Sequence, residues 1–123
     1  MIDVARHEYV LLTTFRRTGE PVGTPVWIAR DGAELLVTTG AGSGKVKRLR
    51  HTPRVTLAPC DARGRVRGAA RPVEATARIA DDPETAGRVE RAFAAKYGAK
   101  YRMLRASRRL RGSRPDSVTL VIS

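Results

Sequence analysis

The residues best suited to chemistry run from Thr38 to Arg50. Thr38, Thr39 and Gly40 lead into Ser43, Gly44 and Lys45, and Lys47, Arg48 and Arg50 follow at once. The stretch succeeds an apolar run, Leu35-Leu36-Val37, and is closed by Pro53. A small-residue loop that breaks into a short helix offers backbone N–H groups with no intrahelical acceptor, and such a terminus attracts anions. Thr38, Thr39 and Ser43 add hydroxyls, and Lys45 adds charge. The glycines let the backbone approach a ligand and take positive φ where a turn needs it. The chemistry implied is the binding of an anion, with phosphate as the first candidate. The loop is not a Walker motif, because Gly44-Lys45 precedes Val46 rather than Ser or Thr. It is not a dinucleotide fingerprint either, since the glycine spacing differs and no regular βαβ pattern surrounds it. A plain strand-to-helix connection with Ser43 as N-cap explains the same residues.

Other reactive groups are few. His7 and His51 have no nucleophile placed beside them, and Cys60, after an apolar run, reads as a small buried hydrophobe. No cluster shows metal-ligand spacing. Asp81-Asp82 is better explained as a helix start than as a catalytic acid pair. Hydrolysis by a triad or a metal is thus poorly supported. A reaction whose hard step belongs to a bound redox cofactor remains open, since the protein then supplies position and electrostatics.

With 123 residues, 41% of them hydrophobic, the chain is expected to form one globular domain over residues 1–123. Neither a membrane-spanning apolar run nor a signal peptide is expected, and the single cysteine suits a reducing cytoplasm. Net charge is +12. Only four of the 24 basic residues are lysine (Lys45, Lys47, Lys96, Lys100), which leaves 20 arginines. Such a surface attracts nucleic acid or a polyanionic small molecule. Aromatic residues make up 5% and do not alternate with the basic ones, so the platform for single strands is missing.

The elements that must carry these residues are short strands at a spacing of about ten residues, as in a barrel or sandwich. Strands are expected at Glu8–Arg17, Pro21–Arg30 and Glu34–Thr39, forming a meander through turns at Thr18-Gly19 and Asp31-Gly32. Pro25 inside the second strand marks an edge or a backbone that faces a ligand. A helix over Gly44–His51 leads to a strand at Arg54–Cys60. A longer strand follows the Asp61–Gly64 turn, and its second half alternates from Val73 to Ile79. Asp82 and Pro83 start a helix that runs to Tyr97, with Ala86, Val89, Phe93 and Tyr97 on one face, and Gly98 ends it. A basic helix from Ala99 to about Arg111 is then expected, with Tyr101, Leu104 and Ser107 on one side and Arg102, Arg105, Arg108 and Arg109 around it. Gly112–Pro115 is a loop, and Ser117–Ile122 a closing strand.

The motif series Leu11–Arg17, then Gly19, Pro21, Val22, Gly23, Thr24, Pro25, Val26 and Trp27, resembles the pyridoxamine 5′-phosphate oxidase-like proteins. Thr38–Gly40, Ser43, Lys45, Arg48 and Leu49, followed by Pro53–Val55 and Leu57–Cys60, resembles their flavin/deazaflavin oxidoreductase B group, which uses coenzyme F420. The resemblance covers nearly the whole chain. It implies a mainly β split barrel of the FMN-binding type, with about six antiparallel strands and three to four helices. It also implies a homodimer with cofactor sites at the subunit interface, and hydride transfer between F420 and an electron-poor small substrate. Carried over by position, Thr38, Thr39, Ser43 and Lys45 would hold the cofactor phosphate, supported by the charges of Lys47, Arg48 and Arg50. Thr24, Pro25, Val26 and Trp27 would run along the ring, although Trp27 reads equally as a core aromatic. Flavin-using relatives place an arginine in the second strand for the FMN phosphate. Gly23–Ile28 has no cation, which favours F420 over FMN. The basic helix would meet the anionic tail of that coenzyme. An FMN- or haem-binding protein of the same fold, and a basic nucleic-acid-binding module, are the alternatives.

Overall fold

The protein's computed structural model describes residues 2–68, 71–103 and 117–123. The strands are β1 (Tyr9–Phe15), β2 (Pro21–Trp27), β3 (Ala29–Asp31), β4 (Glu34–Gly40), β5 (Arg54–Cys60), β6 (Val73–Ala80) and β7 (Ser117–Ile122). The helices are α1 (Gly44–His51) and α2 (Pro83–Tyr97), preceded by a 3-10 turn at Ile2–Arg6. A further helical stretch occupies 99–103. The rest of the expected basic helix, with Leu104, Arg105, Ser107, Arg108 and Arg109, lies outside the described residues, as does the Gly112–Pro115 loop. No helix among the described residues is long and apolar enough to cross a membrane.

All strand pairs are antiparallel, in the order β2-β1-β5-β6-β7-β4-β3. The sheet curls into a half-barrel, as expected for the split-barrel fold class. Three details of the strand reading need correction. The expected strand Pro21–Arg30 breaks at Ile28 into β2 and β3. The first three strands are not a meander: β2 pairs with β1, whereas β3 and β4 form a hairpin at the opposite end of the sheet. The strand after the Asp61–Gly64 turn does not run continuously; a single bridge from Cys60 to Val66 precedes β6, which begins at Val73. The physical reason lies at Ile28. The two edge strands of the sheet are neighbours in sequence, so the chain crosses the barrel seam in one residue.

Burial explains why strands with apolar residues on both faces are needed. Val10, Leu12, Leu35, Val37, Val55, Leu57, Leu120 and Ile122 fill the barrel, joined by Leu49 from α1. Leu36 and Val121 point the other way and meet Val89, Phe93 and Tyr97 of α2. Alternation along β4 therefore feeds two separate cores. Ala86, expected on one face with Val89, Phe93 and Tyr97, shares the cleft side of α2 with Val89 and Phe93 but is exposed, and Thr85 is buried. Thr85 is drawn in by the cap: Asp82 accepts from its backbone N–H (2.9 Å) and its hydroxyl (2.8 Å). Arg88 ties α2 to the β3–β4 hairpin through Asp31 and Glu34, the latter at 2.8 Å.

The Asp82 cap makes stability sensitive to acid. Hydrogen bonds from the Thr85 side chain and backbone hold its carboxyl below the ordinary 3.8. A depressed folded-state pKa stabilises the fold above pH 3.8, and that contribution is lost as pH falls through the folded value. Asp82→Ala should lower the thermal midpoint at neutral pH, and the gap to wild type should narrow below pH 3.8. Thermal melts across pH check this; a gap that persists undiminished in acid contradicts it.

Candidate functional site

One cleft of about 690 Å³ gathers the strand and helix residues of interest. Its walls are the second half of β2 (Thr24, Pro25, Val26, Trp27), the end of β4 with the first turn of α1 (Thr38, Thr39, Gly40, Lys45), and the start and inner face of α2. Pro25 can stand inside β2 because β2 is an edge strand, paired only with β1. Gly23 sits opposite Thr13, and an added Cβ there would come within 3.1 Å of Leu11.

The structure brings together seven of the residues singled out from sequence: Thr24, Pro25, Val26, Trp27, Thr38, Thr39 and Lys45. Ser43, Lys47, Arg48 and Arg50 do not line the cleft. Ser43 caps α1, accepting from Val46 N–H at 3.4 Å, and its hydroxyl accepts from that of Thr39 at 3.3 Å. It therefore orients a cleft residue while standing behind it. Arg48 turns to β1 and donates to the Thr14 hydroxyl at 2.6 Å. Lys47 and Arg50 point to solvent, as does Arg102, the one arginine of the expected basic helix within the described residues.

The wall built from the end of β4 and the start of α1 has two unmet polar groups. The Thr38 hydroxyl is buried and has no hydrogen-bond partner among the described residues. Lys45 is half-buried with no acidic partner there, and burial, with the nearby Arg48, lowers its pKa from 10.5. A buried polar group without a partner is costly, so both sites favour a ligand that supplies acceptors. An anionic oxygen meets both needs. The carboxylates on the opposite wall are partly committed: Asp82 to its cap, and Glu90 to the Tyr101 hydroxyl at 2.9 Å.

The wall at the Trp27 end of β2 and along α2 is aromatic. The chain has one Trp, three Tyr and two Phe, and all but Phe15 gather here. Trp27 stacks on Tyr97 (4.3 Å between centroids, 8° between planes) and meets Tyr9 edge-on at 6.4 Å. Phe93 links Tyr97 to Tyr101. Sequence reading missed Tyr9, Phe93 and Tyr101 as cleft residues. The available signals were the four-residue spacing of Phe93, Tyr97 and Tyr101, and the crowding of scarce aromatics. Tyr97 and its neighbour Lys96 also close the seam. Lys96 Nζ donates to the carbonyls of His7 (2.7 Å) and Ile28, and burial brings its pKa down to about 8. Burial pushes the Tyr97 phenol up to about 12.

The other reactive groups stand apart. Cys60 is buried, and its thiol is pushed up by burial and by Asp61, as befits a packed side chain. His51 accepts from Arg17 at the far end of α1. Among the described residues no set of three His, Cys, Asp or Glu could hold a metal.

Comparison with known proteins agrees with this architecture. The family described as pyridoxamine 5′-phosphate oxidase matches residues 3–122. No curated protein matches the chain. Among solved structures, a conserved hypothetical protein from Mycobacterium tuberculosis is 25% identical, with a TM-score of 0.70 over 98% of this chain and 74% of that one. The haem storage protein of Vibrio cholerae is 13% identical, with a TM-score of 0.68 over 99% and 86%. An F420 reductase is 21% identical, with a TM-score of 0.60 over 98% and 89%. The last two likenesses speak to the fold alone. A family match across almost the whole length, on a curled antiparallel sheet with its cleft at the β2 edge, identifies the chain as a member of the pyridoxamine 5′-phosphate oxidase family.

Proposed function

We propose that the protein is an F420-dependent oxidoreductase that reduces an electron-poor small organic substrate. The observation that carries this reading is the pairing, on one wall of the cleft, of an orphaned Thr38 hydroxyl with a half-buried Lys45 that has no acidic partner among the described residues. The wall suits the phosphodiester of such a coenzyme. Thr38 and Lys45 would hold it, and Thr39, oriented by Ser43, would add a hydroxyl. Arg48, Lys47 and Arg50 raise the local positive field without touching the ligand. On the other wall, Thr24, Pro25, Val26 and Trp27 would line the planar ring. The ring of bound F420 would supply the hydride, and the protein would contribute position and electrostatics. The proton that completes reduction can come from solvent.

Three features favour F420 over its competitors. β2 carries no cation from Pro21 to Trp27, and Arg30 just beyond is exposed, its guanidinium bonded to the Gly32 carbonyl. FMN therefore lacks the strand arginine that flavin-using relatives provide. Haem would find no imidazole, thiolate or thioether in the described cleft lining, and of the two phenols there, Tyr9 and Tyr101, the latter is bonded to Glu90. The net charge of +12 suits a coenzyme with a polyanionic tail. The partly open aromatic wall suits closure by a second copy of the chain, so the working form would be a cytoplasmic homodimer.

Fluorescence titration of the purified protein with F420, with FMN run alongside, tests the reading. F420 should bind in about the micromolar range or tighter, and FMN more weakly. Tight retention of FMN without binding of F420 would overturn the assignment.

A further inference from the structure

We propose that Tyr97 is a positioning residue for the cleft: it fixes Trp27 as a rigid aromatic wall and anchors the backbone that follows. Two kinds of contact converge on the same dipeptide. The Tyr97 ring lies on Trp27 at 4.3 Å, nearly parallel. Its hydroxyl accepts the Ile28 N–H at 3.0 Å. A phenol has one proton to give, and the nearer carbonyl is that of Glu8 at 2.7 Å, with Ile28 O at 3.1 Å.

The topology makes these bonds necessary. Ile28 lies between β2 and β3 and belongs to neither ladder, so its buried peptide needs partners from outside the sheet. Tyr97 supplies the acceptor for its N–H, and Lys96 donates to its carbonyl. The β2 edge that lines the cleft pairs only with β1. At the Trp27 end α2 supports it through Tyr97. Tyr9, edge-on to the indole, limits its sideways swing. Tyr97 itself is not part of the cleft lining. It acts through Trp27, setting the plane against which a flat ligand must lie.

Trp27 is the sole tryptophan, so emission, anisotropy and acrylamide quenching report on this wall alone. In Tyr97→Leu the indole should become more mobile and more readily quenched. Affinity for F420 should fall about fivefold, the loss expected when an aromatic pair is broken. Tyr97→Phe keeps the ring and should restore the quenching protection and most of the affinity, while the Ile28 amide exchanges faster with solvent. Val55→Ala, a cavity in the barrel core away from the cleft, should lower the thermal midpoint but leave Trp27 anisotropy and quenching at wild-type values.

Wild-type anisotropy and quenching in Tyr97→Leu would overturn the proposal, as would an equal change in Val55→Ala. Should Tyr97→Leu fail to fold, an unchanged Ile28 exchange rate in Tyr97→Phe overturns it. The affinity arm rests on the F420 reading, whereas the tryptophan and exchange arms do not. Failure of the wild type to bind F420 therefore rejects that reading and leaves the positioning role to be decided by Trp27 itself.

Discussion

Lys45→Ala should weaken F420 binding by about 10- to 150-fold, because one charge-assisted contact to a phosphate contributes roughly 1.5–3 kcal/mol. The substitution should not cost stability. Lys45 is a half-buried cation beside Arg48, and both burial and that neighbour disfavour its charged form in the ligand-free fold. Removing it relieves a small penalty, so the thermal midpoint of the apo protein should stay level or rise. That combination, a large binding loss without a folding loss, separates a ligand contact from a structural one. The pH dependence follows from the same cause. The ammonium persists only below a pKa lowered from 10.5. Affinity should therefore decline on the alkaline side before an ordinary lysine would titrate, and Lys45→Ala should lack this decline. Titrations at several pH values, with apo melts alongside, check both parts. Wild-type affinity in the variant would remove Lys45 from the binding wall.

Ile28→Ala should be the most damaging single truncation near the cleft, lowering folding stability by about 2–5 kcal/mol. The side chain is fully buried in the barrel core, and it sits where the sheet's two edges meet. Its backbone bonds to Tyr97 and Lys96 survive the change, so the loss isolates packing. For a chain of 123 residues, the midpoint should drop on the order of 10 °C. Ile28→Val removes only one methylene and should cost about 0.5–1.5 kcal/mol. Denaturant unfolding at fixed protein concentration measures both; the concentration matters because the proposed homodimer would gain stability by mass action. A small and equal loss in the two variants would mean that the seam adapts around the cavity.

Much of the local structure was legible because it rests on short-range rules. Ser43 and Asp82 cap their helices, Gly98 ends α2 at φ 54°, and Gly32 turns the β3–β4 hairpin at φ 63°. Each follows from one or two residue types at a fixed offset. The failures lie where partners are distant in sequence. Nothing in Pro21–Arg30 announces a break at Ile28, since Trp27, Ile28 and Ala29 form an unbroken apolar run. The residue that decides the matter, Tyr97, is 69 positions away. For the same reason β4 was expected beside the whole of Pro21–Arg30: the Asp31-Gly32 hairpin is present but pairs β4 with β3 and not with β2, and alternation identifies strands without giving their pairing order.

The candidate site divides in the same way. Thr24–Trp27 share a cleft with Thr38, Thr39, Gly40 and Lys45, and both stretches were visible in the sequence. Which cations of the basic run face inward was not visible. Arg48 goes to Thr14 across the barrel end, while Lys47 and Arg50 are exposed. Helical periodicity separates Lys45 from Lys47, but it does not say which side of α1 meets the cleft until β1 is in place.

The single-residue crossing at Ile28 also limits how this scaffold can be remodelled. Side chains alternate with period two along a strand, so one inserted residue between Trp27 and Ala29 would reverse the facing of everything on one side of it. Either the indole would leave the cleft or Ala29 would leave the α2 core. No slack exists to absorb the change. The β5–β6 connection, by contrast, turns through exposed residues from Ala62 to Gly68, apart from the partly exposed Gly64, and longer surface loops cost little. Insertions into this scaffold should therefore go into that connection, whose Gly64 lies against Pro25, and keep Trp27, Ile28 and Ala29 consecutive.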